Sequence, residues 1–178
     1  MSWPRQLLFD AALCSSDIDR VNALAATLPM STTDQTIQDR ELRYAEARWI
    51  EPGSDSQFIF DILSDLFRSA NRQFRYDIDA MREPVLHASY PVGSHFTWHT
   101  DTSRDMMTTR KLSVSILLSK TEEFDGGELE FCPGSGFETN AGQGSAVIFP
   151  SYMAHRVTPV TRGTRKALVA WIHGEEFR

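Results

Sequence analysis

Lys111-Leu112-Ser113-Val114-Ser115-Ile116-Leu117-Leu118 decides the fold class. Leu112, Val114, Ile116 and Leu118 alternate with Lys111, Ser113, Ser115 and Leu117. Successive side chains of a strand point to opposite faces, so this period of two predicts a strand with one buried face. The same texture continues on both sides. Pro84–Tyr90, His95–Asp101, Glu128–Phe131, Ser145–Phe149, His155–Pro159 and Lys166–Ile172 are short, alternating or β-branched, and separated by glycine and proline. Many short strands at regular spacing predict a sandwich or barrel.

Before residue 82 the period changes. Ile18, Val21, Leu24, Ala25 and Leu28 fall on one face of a helix over 15–28, with Ser15 or Ser16 as its cap. Residues 29–40 are polar and read as a loop. Phe58, Ile59, Ile62, Leu63, Leu66, Phe67, Ala70 and Phe74 form a wide apolar stripe on a second helix, 56–74, capped by Ser54, Asp55 or Ser56. Such a stripe packs on a sheet. The expectation is one α+β domain over 1–178, mainly β: a helical support region, 1–81, then a β core, 82–176.

The 178 residues suffice for a real core, and 41% hydrophobic with 24% charged residues is the balance of a globular protein. No apolar run approaches the roughly 20 residues of a membrane span, and Asp10 interrupts the only apolar stretch near the start, Leu7-Leu8-Phe9. A cytoplasmic location is expected. A net charge of −6 disfavours a broad nucleic-acid surface despite the cluster Arg162, Arg165 and Lys166. Cys14 and Cys132 lack zinc-site spacing and read as reduced thiols.

The chemistry concentrates in His99-Thr100-Asp101, His155 and Arg165. Residues i and i+2 of a strand share a face, so one segment can present an imidazole and a carboxylate to one ion. His155 would come from a neighbouring strand. Two imidazoles and one carboxylate are the protein ligands of a mononuclear non-haem Fe(II) site that leaves coordination positions open. Arg165 shares a strand face with Ala167 and Val169, while Lys166 points the other way and Arg162 precedes Gly163 in an apparent hairpin turn. An arginine fork suits a carboxylate, and a buried one needs such a partner. A surface His-Thr-Asp with an unrelated histidine is the plain alternative. Asp125-Gly126-Gly127 reads as turn chemistry.

Tyr90-Pro91-Val92-Gly93-Ser94-His95-Phe96-Thr97-Trp98 leads into His99. Asp125–Phe131, Gly144–Pro150 and His155–Arg165 follow in order, closing with Trp171-Ile172-His173. This order, over about residues 84–176, resembles the prolyl 4-hydroxylase branch of the 2-oxoglutarate/Fe(II) dioxygenases and is especially similar to bacterial PKHD-type hydroxylases. The resemblance implies a double-stranded β-helix, or jelly roll, buttressed by helices. It implies that His99, Asp101 and His155 bind iron and act in catalysis, and that Arg165 binds the far carboxylate of 2-oxoglutarate. Tyr90 stands where the family has a tyrosine lining that pocket, with a barrel-wall aromatic as the alternative. Leu117 takes the place of a second cosubstrate-contacting tyrosine of some relatives, and leucine cannot donate that bond. An aspartate at 101, where related halogenases carry Ala or Gly, implies hydroxylation. The implied reaction uses Fe(II), 2-oxoglutarate and O2, leaves ascorbate open as a helper, and releases succinate and CO2. The implied substrate is a prolyl residue or an amino-acid-type small molecule. No membrane partner is expected, and the oligomeric state stays open. A cupin-like, non-catalytic metal module is the alternative, but it favours an HxH pair. Residues 102–110, with part of the segment between the helices, are expected to form a substrate-selecting lid.

Overall fold

The computed structural model describes residues 5–31, 43–102, 109–132 and 141–176. Among these, two α-helices, α1 (Ser15–Ala26) and α2 (Gln57–Phe74), and a short 3-10 turn (Thr121–Glu123) accompany twelve strands. The strands are β1 (Leu7–Phe9), β2 (Arg43–Tyr44), β3 (Glu46–Ile50), β4 (Val85–Tyr90), β5 (His95–His99) and β6 (Arg110–Leu117). They continue with β7 (Phe124–Gly126), β8 (Leu129–Phe131), β9 (Ala146–Pro150), β10 (His155–Val157), β11 (Val160–Gly163) and β12 (Arg165–His173).

A large antiparallel sheet has the order β1-β9-β6-β12-β4-β3, a smaller one β2-β5-β10-β8, and β11 pairs with β7. The large sheet is buried on both faces. One face carries Leu112, Val114, Ile116, Leu168 and Ala170 against Val21 of α1 and Ile59, Leu63, Phe67 and Phe74 of α2. The other face brings Leu86, Ala88, Val147, Phe149 and Trp171 against Leu129, Phe131 and Val157 of the small sheet. Two sheets closed over this second core, with helices outside the larger one, make a helix-buttressed jelly roll. The alternation of Lys111–Leu118 is therefore real, but its polar face is not solvent. Ser113 is wholly buried and points into the jelly roll.

Three differences from the sequence reading have physical reasons. The region expected to be helical support also supplies β1, β2 and β3 to the sheets. β1 and β2 are too short to show a period, and most of their order comes from pairing with β9 and β5. Arg162 lies on β11 rather than in a turn, where its Nε donates to Asp125 Oδ2 at 2.6 Å across the β11–β7 pair. At the helix starts the expected caps act differently. Cys14 precedes α1, and the Ser56 hydroxyl donates back to the Glu51 carbonyl at 2.7 Å. Among the described residues no helix is long and apolar enough to cross a membrane. Cys14 and Cys132 are free and exposed.

Candidate metal and carboxylate site

β5 and β10 pair antiparallel with His99 opposite His155. Asp101 lies just past the end of β5, in a bend. The pairing brings one ligand atom from each of His99, Asp101 and His155 within 4.8 Å of one another. His99 Nε2 is 3.7 Å from Asp101 Oδ1, and His155 Nε2 is 3.7 Å from Asp101 Oδ2.

The other ring nitrogens explain why both Nε2 atoms face the carboxylate. His99 Nδ1 is 2.7 Å from the Thr97 carbonyl, and His155 Nδ1 is 2.9 Å from the Met153 carbonyl. A carbonyl only accepts, so in each neutral ring Nδ1 carries the proton and Nε2 keeps its lone pair. A backbone carbonyl holding the far nitrogen is the usual support of a metal-binding imidazole. Burial, then the neighbouring His155, lower the His99 pKa to about 4, so the ring is neutral near pH 7. Phe96 stacks on His99 with ring centroids 3.4 Å apart, and Phe149 meets His155 edge-on at 4.7 Å. Two imidazole nitrogens and a carboxylate oxygen fit a divalent transition ion such as Fe(II).

Arg165 opens β12 and pairs in register with Tyr90 of β4. Its guanidinium lies 5.5 Å from the Tyr90 ring centroid, and both residues are buried. Among the described residues no carboxylate lies within ion-pairing distance of Arg165. Burial pulls its pKa below the ordinary value, against the opposing influence of Tyr90 and Glu128. A sealed cation without a paired anion fits an anionic ligand. A cavity of about 640 Å³ is lined by Arg165, Ser115, Leu117, Gly127, Leu129 and Val147, among others, but not by His99, Asp101 or His155. Gly127 makes room for the arginine. At φ +66° it has a conformation that side chains rarely adopt, and a Cβ there would sit 2.8 Å from Arg165 Cδ.

The structure thus brings His99, Asp101 and His155 together, and Arg165 and Tyr90 together. His95 lies on β5 beside Tyr44, with Nδ1 3.2 Å from the Gly93 carbonyl. The expected lid residues Arg104, Asp105 and Met106 lie outside the described residues. Sequence reasoning missed Ser113, whose hydroxyl donates to Asp101 Oδ2 at 2.6 Å. It also missed Arg110, which donates to the Asp101 carbonyl at 3.3 Å and stacks 3.8 Å over Trp171. In the sequence Ser113 reads only as a serine on the polar face of a strand. Arg110 gave no signal beyond its place at the strand start.

The fold is a jelly roll with a cluster of two histidines and an aspartate on one sheet and a buried arginine on the other. A sequence profile of the 2OG-Fe(II) oxygenase superfamily matches residues 85–173, half of the chain, and the chain belongs to that superfamily. Fe(II) and 2-oxoglutarate are therefore its metal and cosubstrate by family. A PKHD-type hydroxylase of Idiomarina loihiensis is 36% identical over 84 residues, which are 47% of this chain and 38% of that protein. One from Acidovorax ebreus is 42% identical over 81 residues, 45% of this chain and 31% of that protein. The chain thus matches less than half the length of these curated relatives. Among solved structures, a Pseudomonas putida prolyl-4-hydroxylase shares the fold with a TM-score of 0.75 at 21% identity, covering 96% of this chain and 93% of that one. A prolyl hydroxylase of Trichoplax adhaerens, in complex with a peptide fragment of hypoxia inducible factor, also has a TM-score of 0.75, at 20% identity over 96% and 84% of the two chains.

Proposed function

We propose that this chain is an Fe(II)- and 2-oxoglutarate-dependent dioxygenase that hydroxylates a C–H bond. The observation carrying this reading is the pair of Nε2 lone pairs, fixed by the Thr97 and Met153 carbonyls and aimed at one carboxylate. In this reading His99, Asp101 and His155 hold the iron, and Arg165, beside Tyr90, holds the far carboxylate of 2-oxoglutarate. The bound metal and cosubstrate supply oxidative decarboxylation, with O2, to succinate and CO2, coupled to hydroxylation.

The chain's own part is geometry. The carbonyls hold the Nδ1 side of each imidazole and keep Nε2 turned towards the metal position. The Arg165 guanidinium would hold one end of a dicarboxylate, since its planar fork suits a carboxylate. Phe96, Phe131 and Phe149 pack around the histidines and exclude water from the ligand set.

A prolyl residue in a peptide, or an amino-acid-type small molecule, is the substrate this reading favours. Its support is the similarity to hydroxylases of the PKHD type and to prolyl hydroxylases. A single domain and a cytoplasmic site of action belong to the same proposal. The test is succinate release from 2-oxoglutarate by the Fe(II)-loaded protein, screened with peptides and amino acids, with mass spectrometry for a gain of one oxygen. Substrate-stimulated succinate with an oxygenated product supports the reading. No turnover of 2-oxoglutarate under any condition would instead favour a non-catalytic metal module.

A further inference from the structure

Asp101 lies beyond the last paired residue of β5, so no strand ladder fixes it. Three contacts do so instead. Its N–H donates to the Ser151 carbonyl at 2.8 Å, its carbonyl accepts from Arg110 Nη1 at 3.3 Å, and its Oδ2 accepts from Ser113 Oγ at 2.6 Å. Ser113 Oγ also lies 3.0 Å from Ser151 Oγ, and both serines are 0% exposed. A hydroxyl has a single proton, and a carboxylate only accepts. Ser113 Oγ has both Asp101 Oδ2 at 2.6 Å and Ser151 Oγ at 3.0 Å within donating reach, and its single proton goes to the nearer, charged acceptor. Each carboxylate oxygen lies 3.7 Å from one histidine Nε2, Oδ1 from His99 and Oδ2 from His155, so the hydrogen bond on Oδ2, which Oδ1 lacks among the described residues, is what distinguishes them.

We propose that Ser113 is a positioning residue that commits Oδ2 of Asp101 to the protein and leaves Oδ1 as the metal-binding oxygen, with the buried Ser151 hydroxyl packed beside it. The inference rests on the assignment of His99, Asp101 and His155 as ligands. A carboxylate gripping the ion through both oxygens would consume one of the positions a facial triad must keep open. Ser113 prevents this by occupying the second oxygen, and it also sets the plane of the carboxylate.

The test is Mn(II) binding followed by electron paramagnetic resonance, without and with 2-oxoglutarate, beside thermal melting of the metal-free proteins. Ser113→Ala removes only the hydroxyl and is expected to weaken Mn(II) binding about 10- to 100-fold, the usual effect of losing a support to a metal ligand. Ser113→Thr keeps the hydroxyl and is expected to restore most of the affinity and the spectral change on adding 2-oxoglutarate. A role in packing alone would lower the melting temperature and would not be rescued by threonine. Ser151→Ala carries the test if Ser113→Ala folds poorly, and it is expected to weaken binding by a smaller factor. Wild-type affinity in the folded serine variants, with binding lost in Asp101→Ala, overturns the positioning role. Wild-type affinity in Asp101→Ala itself overturns the ligand assignment.

Discussion

At residue scale, the tautomers of His99 and His155 are chosen by carbonyls two residues upstream in their own segments. Losing any one of the three ligands should therefore unmake the site without disturbing the fold. His99→Ala, Asp101→Ala and His155→Ala are each expected to abolish Fe(II)-dependent succinate formation. Circular dichroism should stay native, and full activity in any of them would refute its role. Arg165 allows a sharper comparison. Arg165→Ala is expected to raise the KM for 2-oxoglutarate by roughly 30-fold or more, since truncating one partner of a buried charge pair costs about 2–5 kcal/mol. Arg162→Ala should leave KM nearly unchanged, because Arg162 is exposed and already paired with Asp125. Lys166 lies on the opposite face of β12 from Arg165, and Lys166→Ala should behave likewise. The residues that carry chemistry by type, two histidines, an aspartate and an arginine, were legible in the sequence. Ser113, Arg110 and Gly127 were not, because what they do depends on partners far along the chain. Serine on a strand's second face reads as solvent-facing until a second sheet is known to cover it.

At the scale of elements, α2 does what its apolar stripe predicts. Ile59, Leu63, Phe67, Ala70 and Phe74 are all buried against the outer face of the large sheet. Phe67→Ala is expected to destabilise the protein by about 3–5 kcal/mol, measured by urea denaturation, because the helix cannot collapse into the space. The segment before β4 is tied to β6 and β12 by charge. Arg110 Nε donates to Glu83 Oε1 at 2.8 Å, and His173 Nε2 lies 3.0 Å from the same oxygen. Burial alone would raise the Glu83 pKa, but the hydrogen bonds from His173 and Arg110 overcome it and hold it at about 2, from an ordinary 4.5. The sign follows. As the pH falls, the unfolded chain takes up this proton first, so the stability is fully present above about pH 4.5 and is lost towards pH 2. Glu83→Gln is expected to cost about 1–2 kcal/mol at pH 7, discounted for the partial exposure of the pair. Its disadvantage should shrink between pH 4.5 and pH 3, and a constant gap would contradict the linkage. The longer elements were legible because a period of two or 3.6 shows within eight residues. β1, β2 and β3 were not, since they are edge strands whose order comes from the strands they pair with.

At the scale of the whole molecule, the separation into a helical half and a β half dissolves. The first 50 residues supply one edge of the small sheet and both edges of the large one, so the jelly roll described here is closed by chain from both ends of the sequence. The order helices-then-sheets was readable; this interleaving was not, because edge pairing is a tertiary event. The buried guanidinium beside Tyr90 has a consequence for the molecule as a whole. Folding buries a positive charge that no described carboxylate pairs, at the wall of a cavity large enough for a small anion. Any small dicarboxylate that reaches Arg165 relieves that imbalance and shifts the folding equilibrium by mass action. Succinate or 2-oxoglutarate should raise the melting temperature of the metal-free protein in proportion to the logarithm of concentration. Monocarboxylates should do less, and Arg165→Ala should lose the response altogether. The fold would then act as a thermometer for dicarboxylate supply, steadier when its cosubstrate is plentiful and more easily cleared when it is scarce.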